Sequence, residues 1–170
     1  MTSYVALLRA VNVGGRQLAM ADLKAIAEDL GLESPRTYIA SGNLLFASSK
    51  SESAVRKQLE QALAEEMPSD VPVHVRTASE MAAAVKANPF ADEPGNRVVA
   101  IFLDGAPPAD ALEKGTNIAD ERMALGKREI YVHYPSGQGR SKLKIPAAAK
   151  GTARNMNTVA KLAELAKEDK

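Results

Sequence analysis

The chain has 170 residues, 45% of them apolar and 25% charged, which is ordinary for a globular protein long enough to bury a sizeable core. It has no cysteine, which excludes disulfides, thiolate zinc sites and a cysteine nucleophile, and no run of about 18 apolar residues that would span a membrane. The net charge of +1 hides an asymmetry: residues 1–126 carry 12 basic and 17 acidic side chains, residues 127–170 carry 10 and 4. A basic end of this kind attracts phosphates and other anions, or is simply solvated surface. The absence of a basic-then-apolar leader at the start argues against secretion, and a cytoplasmic location is expected.

In chain order, Tyr4 to Val11 is an apolar run bounded by Asn12 and Gly14-Gly15, and it predicts a buried strand with Arg9 near its end. Leu23, Ile26, Ala27 and Leu30 recur at helical spacing from Met20, with Gly31 placed for a left-handed C-terminal cap. Thr37 to Ala40 and Leu44 to Ala47 predict two short strands around a Ser41-Gly42-Asn43 turn. Ser53 to Glu66 predicts a helix with Val55, Leu59, Ala62 and Leu63 on one face, and Val71 to Arg76 returns as a strand. The resulting order, βαββαβ, is that of a ferredoxin-like split βαβ unit.

Thr77-x-x-Glu80 is a capping box that opens a helix to Ala87, stopped by Asn88-Pro89. Arg97 to Leu103 predicts a buried strand. A helical turn from Pro107-Pro108 toward Lys114 follows, then a hairpin of Glu121–Leu125 and Glu129–Tyr134 around Gly126-Lys127. The last helix is expected from about Asn155 to Ala166, with Val159, Leu162, Ala163 and Ala166 as its buried stripe. This order repeats the first unit without its closing strand. The fold class is therefore α+β, with two ferredoxin-like halves packed into one compact unit: residues 1–77, and residues 78–170 as an incomplete second half carrying a basic loop and the C-terminal helix.

Five stretches together resemble one known family. They are Leu7-Leu8-Arg9-Ala10-Val11-Asn12-Val13-Gly14-Gly15, Thr37-Tyr38-Ile39-Ala40-Ser41-Gly42-Asn43, Asn88-Pro89-Phe90, Tyr131-Val132-His133-Tyr134-Pro135 with Ser141-Lys142, and Thr152-Ala153-Arg154-Asn155-Met156-Asn157-Thr158-Val159. In this order, and over nearly the whole chain, they resemble the bacterial family called domain of unknown function 1697. That family usually has tryptophan where this chain has Met156. The resemblance implies a ferredoxin-like α+β fold and supplies no reaction.

Each candidate residue has a functional and a simpler reading. Arg9, on a buried strand, must pair with an acid or point to a ligand, because an unpaired buried charge is costly. Asn12 with Gly14-Gly15 is a turn, or a set of backbone N–H groups for an anion. Ser41 and Asn43 form a hairpin tip, which becomes a polar edge near Arg9 if their strands are neighbours. Gly137-x-Gly139-Arg140-Ser141-Lys142 has the wrong spacing for a phosphate loop and reads as a flexible basic loop that can cradle an anion. Arg154-Asn155-x-Asn157-Thr158 places an asparagine cap, free N–H groups and an arginine at one helix start, which suits capping alone or an anion.

His133 and His74 are the only histidines, and two separated histidines without an acid cluster make no metal site. His133 can also act as a general acid-base. With 4 Tyr, 3 Phe and no Trp, base stacking is poorly supplied, which leaves charge as the means of binding nucleic acid.

The expected function is binding of a small phosphate- or carboxylate-bearing ligand between the halves. Arg9, Asn12, Ser41, Asn43, His133, Ser141, Lys142 and Arg154 would form the site, with Asn155 and Asn157 at the helix start. No cofactor, metal or membrane partner is expected. The alternatives are an enzyme of unknown reaction using His133 or Lys142, and a weak charge-driven nucleic-acid binder. The sequence sets no oligomeric state.

Overall fold

The computed structural model describes residues 1–9, 17–67 and 70–168. Its backbone divides into two units, Met1–Ala82 with Leu162–Lys170, and Ala83–Lys161. In the first, β1 (Thr2–Leu8) is the centre of a four-stranded antiparallel sheet. Side chains alternate along a strand, so Tyr4, Ala6 and Leu8 share one face with Leu44 and Phe46 of β2's neighbour β3 (Asn43–Ser48) and with Val73 and Val75 of β4 (Val73–Thr77). With β2 (Glu33–Thr37) at one edge, the order is β2-β3-β1-β4. Helices α1 (Met20–Asp29) and α2 (Glu52–Glu66) cover that face with Leu23, Ala27, Val55, Leu59 and Leu63, all fully buried. Each of these leucines and the valine contributes about 1.5–3 kcal/mol by leaving water.

The second unit has β5 (Val98–Phe102), β6 (Arg122–Leu125), β7 (Glu129–His133) and β8 (Thr152–Asn155) in the order β6-β7-β5-β8. Read from the fourth strand, both sheets run fourth-first-third-second, so the chain is α+β with two ferredoxin-like halves. Helices α3 (Ala78–Lys86) and α4 (Met156–Glu168) follow β4 and β8. The capping box opens α3 as read from the sequence: Thr77 N–H donates to Glu80 Oε1 at 2.9 Å and Glu80 N–H to Thr77 Oγ1 at 3.1 Å.

Three expectations are corrected. The second half does have a closing strand, β8, which the sequence hid because it is four residues long and polar, pairing only with β5. Gly151 lets the chain enter it: a Cβ there would lie 2.6 Å from Ile101 Cγ2 and 3.0 Å from the Phe102 carbonyl oxygen. What the second half lacks, among the described residues, is α-helices between its strands. Turns at 108–115 and the segment 143–149 cover Val99, Ile101, Ile130 and Val132 instead. Finally, β2 ends at Thr37 rather than starting there, and Ile39, with φ of 51°, turns the chain out of the extended conformation.

In both sheets the face away from these apolar clusters carries buried polar groups. Asn43 and His74 flank Leu7, and Arg76 sits beside Val5. In the second unit Glu129 and Thr152 flank Phe102, and His133 pairs with Val98. Two hydrogen bonds tie helices in place. Arg36 Nη2 donates to the Leu165 carbonyl oxygen of α4 at 2.9 Å. Tyr131 Oη donates to the Ala84 carbonyl oxygen of α3 at 2.6 Å, satisfying one acceptor in the last turn of that helix. Tyr131→Phe strands this buried acceptor, and it is expected to cost about 1–3 kcal/mol in urea unfolding without changing the far-ultraviolet spectrum. A loss near zero would mean that the carbonyl finds another donor.

Candidate functional site

The candidate residues of the first unit organise a turn. The Asn43 side-chain amide, fully buried, donates to the Tyr38 carbonyl oxygen at 2.9 Å and to Ser41 Oγ at 3.0 Å. Tyr38 N–H donates to the Asn43 carbonyl oxygen at 3.1 Å, and Gly42, with φ of 89°, accepts from Leu8 N–H at 2.9 Å. The structure thus brings Ser41 and Asn43 together at the end of β1. Partly buried Arg9 follows β1, its N–H donating to the Pro72 carbonyl oxygen at 3.0 Å. Asn12, with Gly14-Gly15, lies outside the described residues. Sequence reasoning missed Arg76, the largest fully buried side chain, whose Nη1 donates to the Val75 carbonyl oxygen at 3.1 Å. The alternation Val73-His74-Val75-Arg76 was the signal, because it sets the two polar residues on one face.

In the second unit His133 ends β7 within a four-residue cluster. Its Nε2 lies 3.2 Å from Glu93 Oε2 and its Nδ1 3.2 Å from Arg122 Nη2. Glu93 Oε1 reaches the same Arg122 nitrogen at 3.5 Å, and Arg122 lies over the Phe90 ring at 5.2 Å. A guanidinium only donates, so Nδ1 accepts, and the ring proton sits on Nε2, directed at Glu93. Both ring nitrogens are engaged by protein, and neither is open to a substrate in this arrangement. Asn88 shapes the Phe90–Glu93 loop by accepting from Phe90 N–H at 2.9 Å.

At the start of α4 the two asparagines have separate tasks. Asn155 Oδ1 accepts from Thr158 N–H at 2.9 Å and caps the helix. Asn157 packs on Gly95, where a Cβ would meet its Oδ1 at 2.1 Å. Arg154 stands on β8 opposite Ala100, and its Nη1 donates to the Ala153 carbonyl oxygen at 2.9 Å. Burial lowers its pKa to about 10.

Ser141 and Lys142 line a cavity of about 670 Å³ between the segments 117–121 and 134–142. Its organiser is the buried carboxylate of Glu121. Oε1 accepts from Ala119 N–H at 2.7 Å and Oε2 accepts from the Ser141 hydroxyl. The Ser141 hydrogen bond, then the backbone N–H groups of Ala119, Glu121 and Asp120, hold this carboxyl below the ordinary carboxylate range, against a smaller opposing effect of burial. A second serine repeats the device: Ser136 Oγ donates to Asp120 Oδ2 at 2.6 Å. Arg97 fixes the far wall, its Nη1 donating to the Pro135 carbonyl oxygen at 3.2 Å beside Gly137, whose φ is 92°.

Three lining groups remain available. The exposed cations Arg140 and Lys142 have no side-chain hydrogen bond or ion pair among the described residues. Neither does the hydroxyl of Tyr134, a residue only 7% exposed. Burial raises the Tyr134 pKa, and the Glu121 charge adds to it, so the phenol remains a proton donor. Of the residues expected to bind the ligand, Ser141 and Lys142 line this cavity, with Gly137 and Arg140 of the same basic loop.

The family model described as protein of unknown function (DUF1697) matches residues 1–131. The chain belongs to this family. A solved structure, described as that of a conserved bacterial protein from Streptococcus pneumoniae, is 28% identical and superposes with a TM-score of 0.82, over 98% of this chain and 99% of that one. No curated protein matches the sequence. The DUF1697 match ends at Tyr131, so it includes the 117–121 wall of the cavity and leaves out the 134–142 wall.

Because Glu121 has a depressed pKa in the folded state, its stabilisation is complete above the unfolded value of about 4.3 and is lost as pH falls through the lower folded value. Glu121→Gln in this DUF1697 protein should therefore melt at a lower temperature than the parent at pH 7, with the gap closing as the pH drops below about 4. Melting curves from pH 7 to pH 3 check this. A gap that stays constant across the range would show that shape rather than charge holds the two segments together.

Proposed function

We propose that this protein binds a small ligand bearing a phosphate or carboxylate group in the cavity between segments 117–121 and 134–142. The observation that carries the reading is the division of labour in the lining. Asp120 and Glu121 already accept hydrogen bonds from Ser136, Ser141 and Ala119, whereas the cations Arg140 and Lys142 have no partner among the described residues. An anion entering here meets two uncommitted cations and a phenol donor, and carboxylates that each already accept from the protein. The cavity also falls within the size range of small-molecule sites, roughly 300–1,000 Å³. For an enzymic role, Lys142 is the better placed of the two residues singled out in the sequence, since His133 does not line this cavity and both its nitrogens are engaged.

Phosphate should raise the melting temperature beyond the effect of sodium chloride at equal ionic strength, and Arg140→Ala with Lys142→Ala should abolish that increment. Arg154→Ala is the informative comparison. If it removes the phosphate effect while the double variant keeps it, the anion binds at the start of α4 and this reading of the cavity is wrong. Charge-driven binding of an oligonucleotide would instead show as an affinity that falls steeply and linearly on logarithmic axes of affinity against salt.

A further inference from the structure

A second cleft lies beside the first. It measures about 450 Å³ and is walled mainly by apolar Ile101, Leu143, Ile145, Pro146 and Ala148, with Thr116 and Lys144 also in its lining. Tyr134 lines both clefts. Between them runs a two-bond bridge, in which Thr116 N–H donates to the Lys144 carbonyl oxygen at 2.8 Å and Lys144 N–H to the Thr116 carbonyl oxygen at 3.0 Å. On one side of this bridge Asn117 and Lys142 face the polar cavity, and on the other side Thr116 and Leu143 face the apolar cleft.

We infer that the ligand is amphipathic, with its anionic group beside Arg140 and Lys142 and an aromatic or short-chain apolar group in the second cleft. This inference rests on the anion-binding reading above and adds the chemistry of the rest of the molecule. Tyr134 joins the two parts. Its hydroxyl has no hydrogen-bond partner among the described residues although the residue is 7% exposed. The hydroxyl opens on the clefts rather than being sealed from water, so it is available to a polar linker atom of the ligand. The apolar wall supplies the remaining attraction, because it lies open beside the site and is covered only when an apolar group settles on it.

Calorimetric titration of the full chain with inorganic phosphate and with phenyl phosphate tests the inference. Phenyl phosphate should bind roughly tenfold to a hundredfold more tightly, the gain expected from burying one ring. Ala149→Trp, at an exposed position on the rim of the second cleft, should bring phenyl phosphate down to the affinity of inorganic phosphate and leave inorganic phosphate unchanged. Ala148→Leu fills the same space more gently and should act in the same direction if the tryptophan variant folds poorly. Tyr134→Phe should weaken phenyl phosphate while the protein keeps its fold. Equal affinity for the two probes overturns the apolar extension and leaves the phosphate reading standing. A preference for phenyl phosphate that survives both alanine substitutions places the ring elsewhere and overturns the extension too. Binding of neither probe overturns both.

Discussion

The carboxylate of Glu121 is the constraint on which the second unit's irregular half depends. Strands β6 and β7 are held by their ladder, but the segments before and after this hairpin have only short 3-10 turns and the Thr116–Lys144 bridge to fix them. Glu121 stands just ahead of β6, curls its own segment around itself through Ala119 N–H, and captures Ser141 from the segment beyond β7. One ionised group thus receives donors from two stretches that are distant in sequence. An acid that receives several hydrogen bonds in its charged form is a stronger joint than a neutral pair, and its lowered pKa expresses the same interaction. The cavity exists because this joint holds its two walls in place.

The comparison of the two ferredoxin-like halves explains why the cavity is in the second. In the first half α1 and α2 lie on the core face, and a helix satisfies its own backbone while presenting a continuous apolar stripe. In the second half the same strand order is covered by turns and by segment 143–149. Such segments leave backbone donors and polar side chains to find partners one at a time, and they do not close over the sheet completely. The first half keeps a dense core, and the second exchanges part of that density for two adjoining clefts.

Much of the fold was legible because it follows from periodicity. The apolar run of β1 implies a buried strand, the helical spacing of Leu23 and Ala27 and that of Val55, Leu59 and Leu63 each imply one buried face, and each is buried as read. The β8 strand was not legible, since a four-residue polar edge strand has neither alternation nor an apolar run. The candidate site divides in the same way. Ser141 and Lys142 stood out as a basic, glycine-flanked loop. Arg122 beside His133 was available from the hairpin register, but Glu93 joins them across 40 residues with no local signal. Tyr134 read as the last residue of a strand, and only the geometry shows that its hydroxyl lacks a partner among the described residues. Residues that act through long-range contacts carry no mark in their own neighbourhood, and sequence periodicity is blind to them.

The hydrogen bond from Arg36 to the Leu165 carbonyl oxygen has a consequence for how the protein is made. The first unit takes in residues from 162 onward, so its complement of contacts spans almost the whole chain. A ribosome delivers β1 to β4 long before it delivers the end of α4. During that interval the half-buried Arg36 waits for an acceptor not yet synthesised. A nascent first unit then lacks the end of α4, and the time between the emergence of β4 and that of α4 becomes its period of greatest exposure to chaperones and to misassembly.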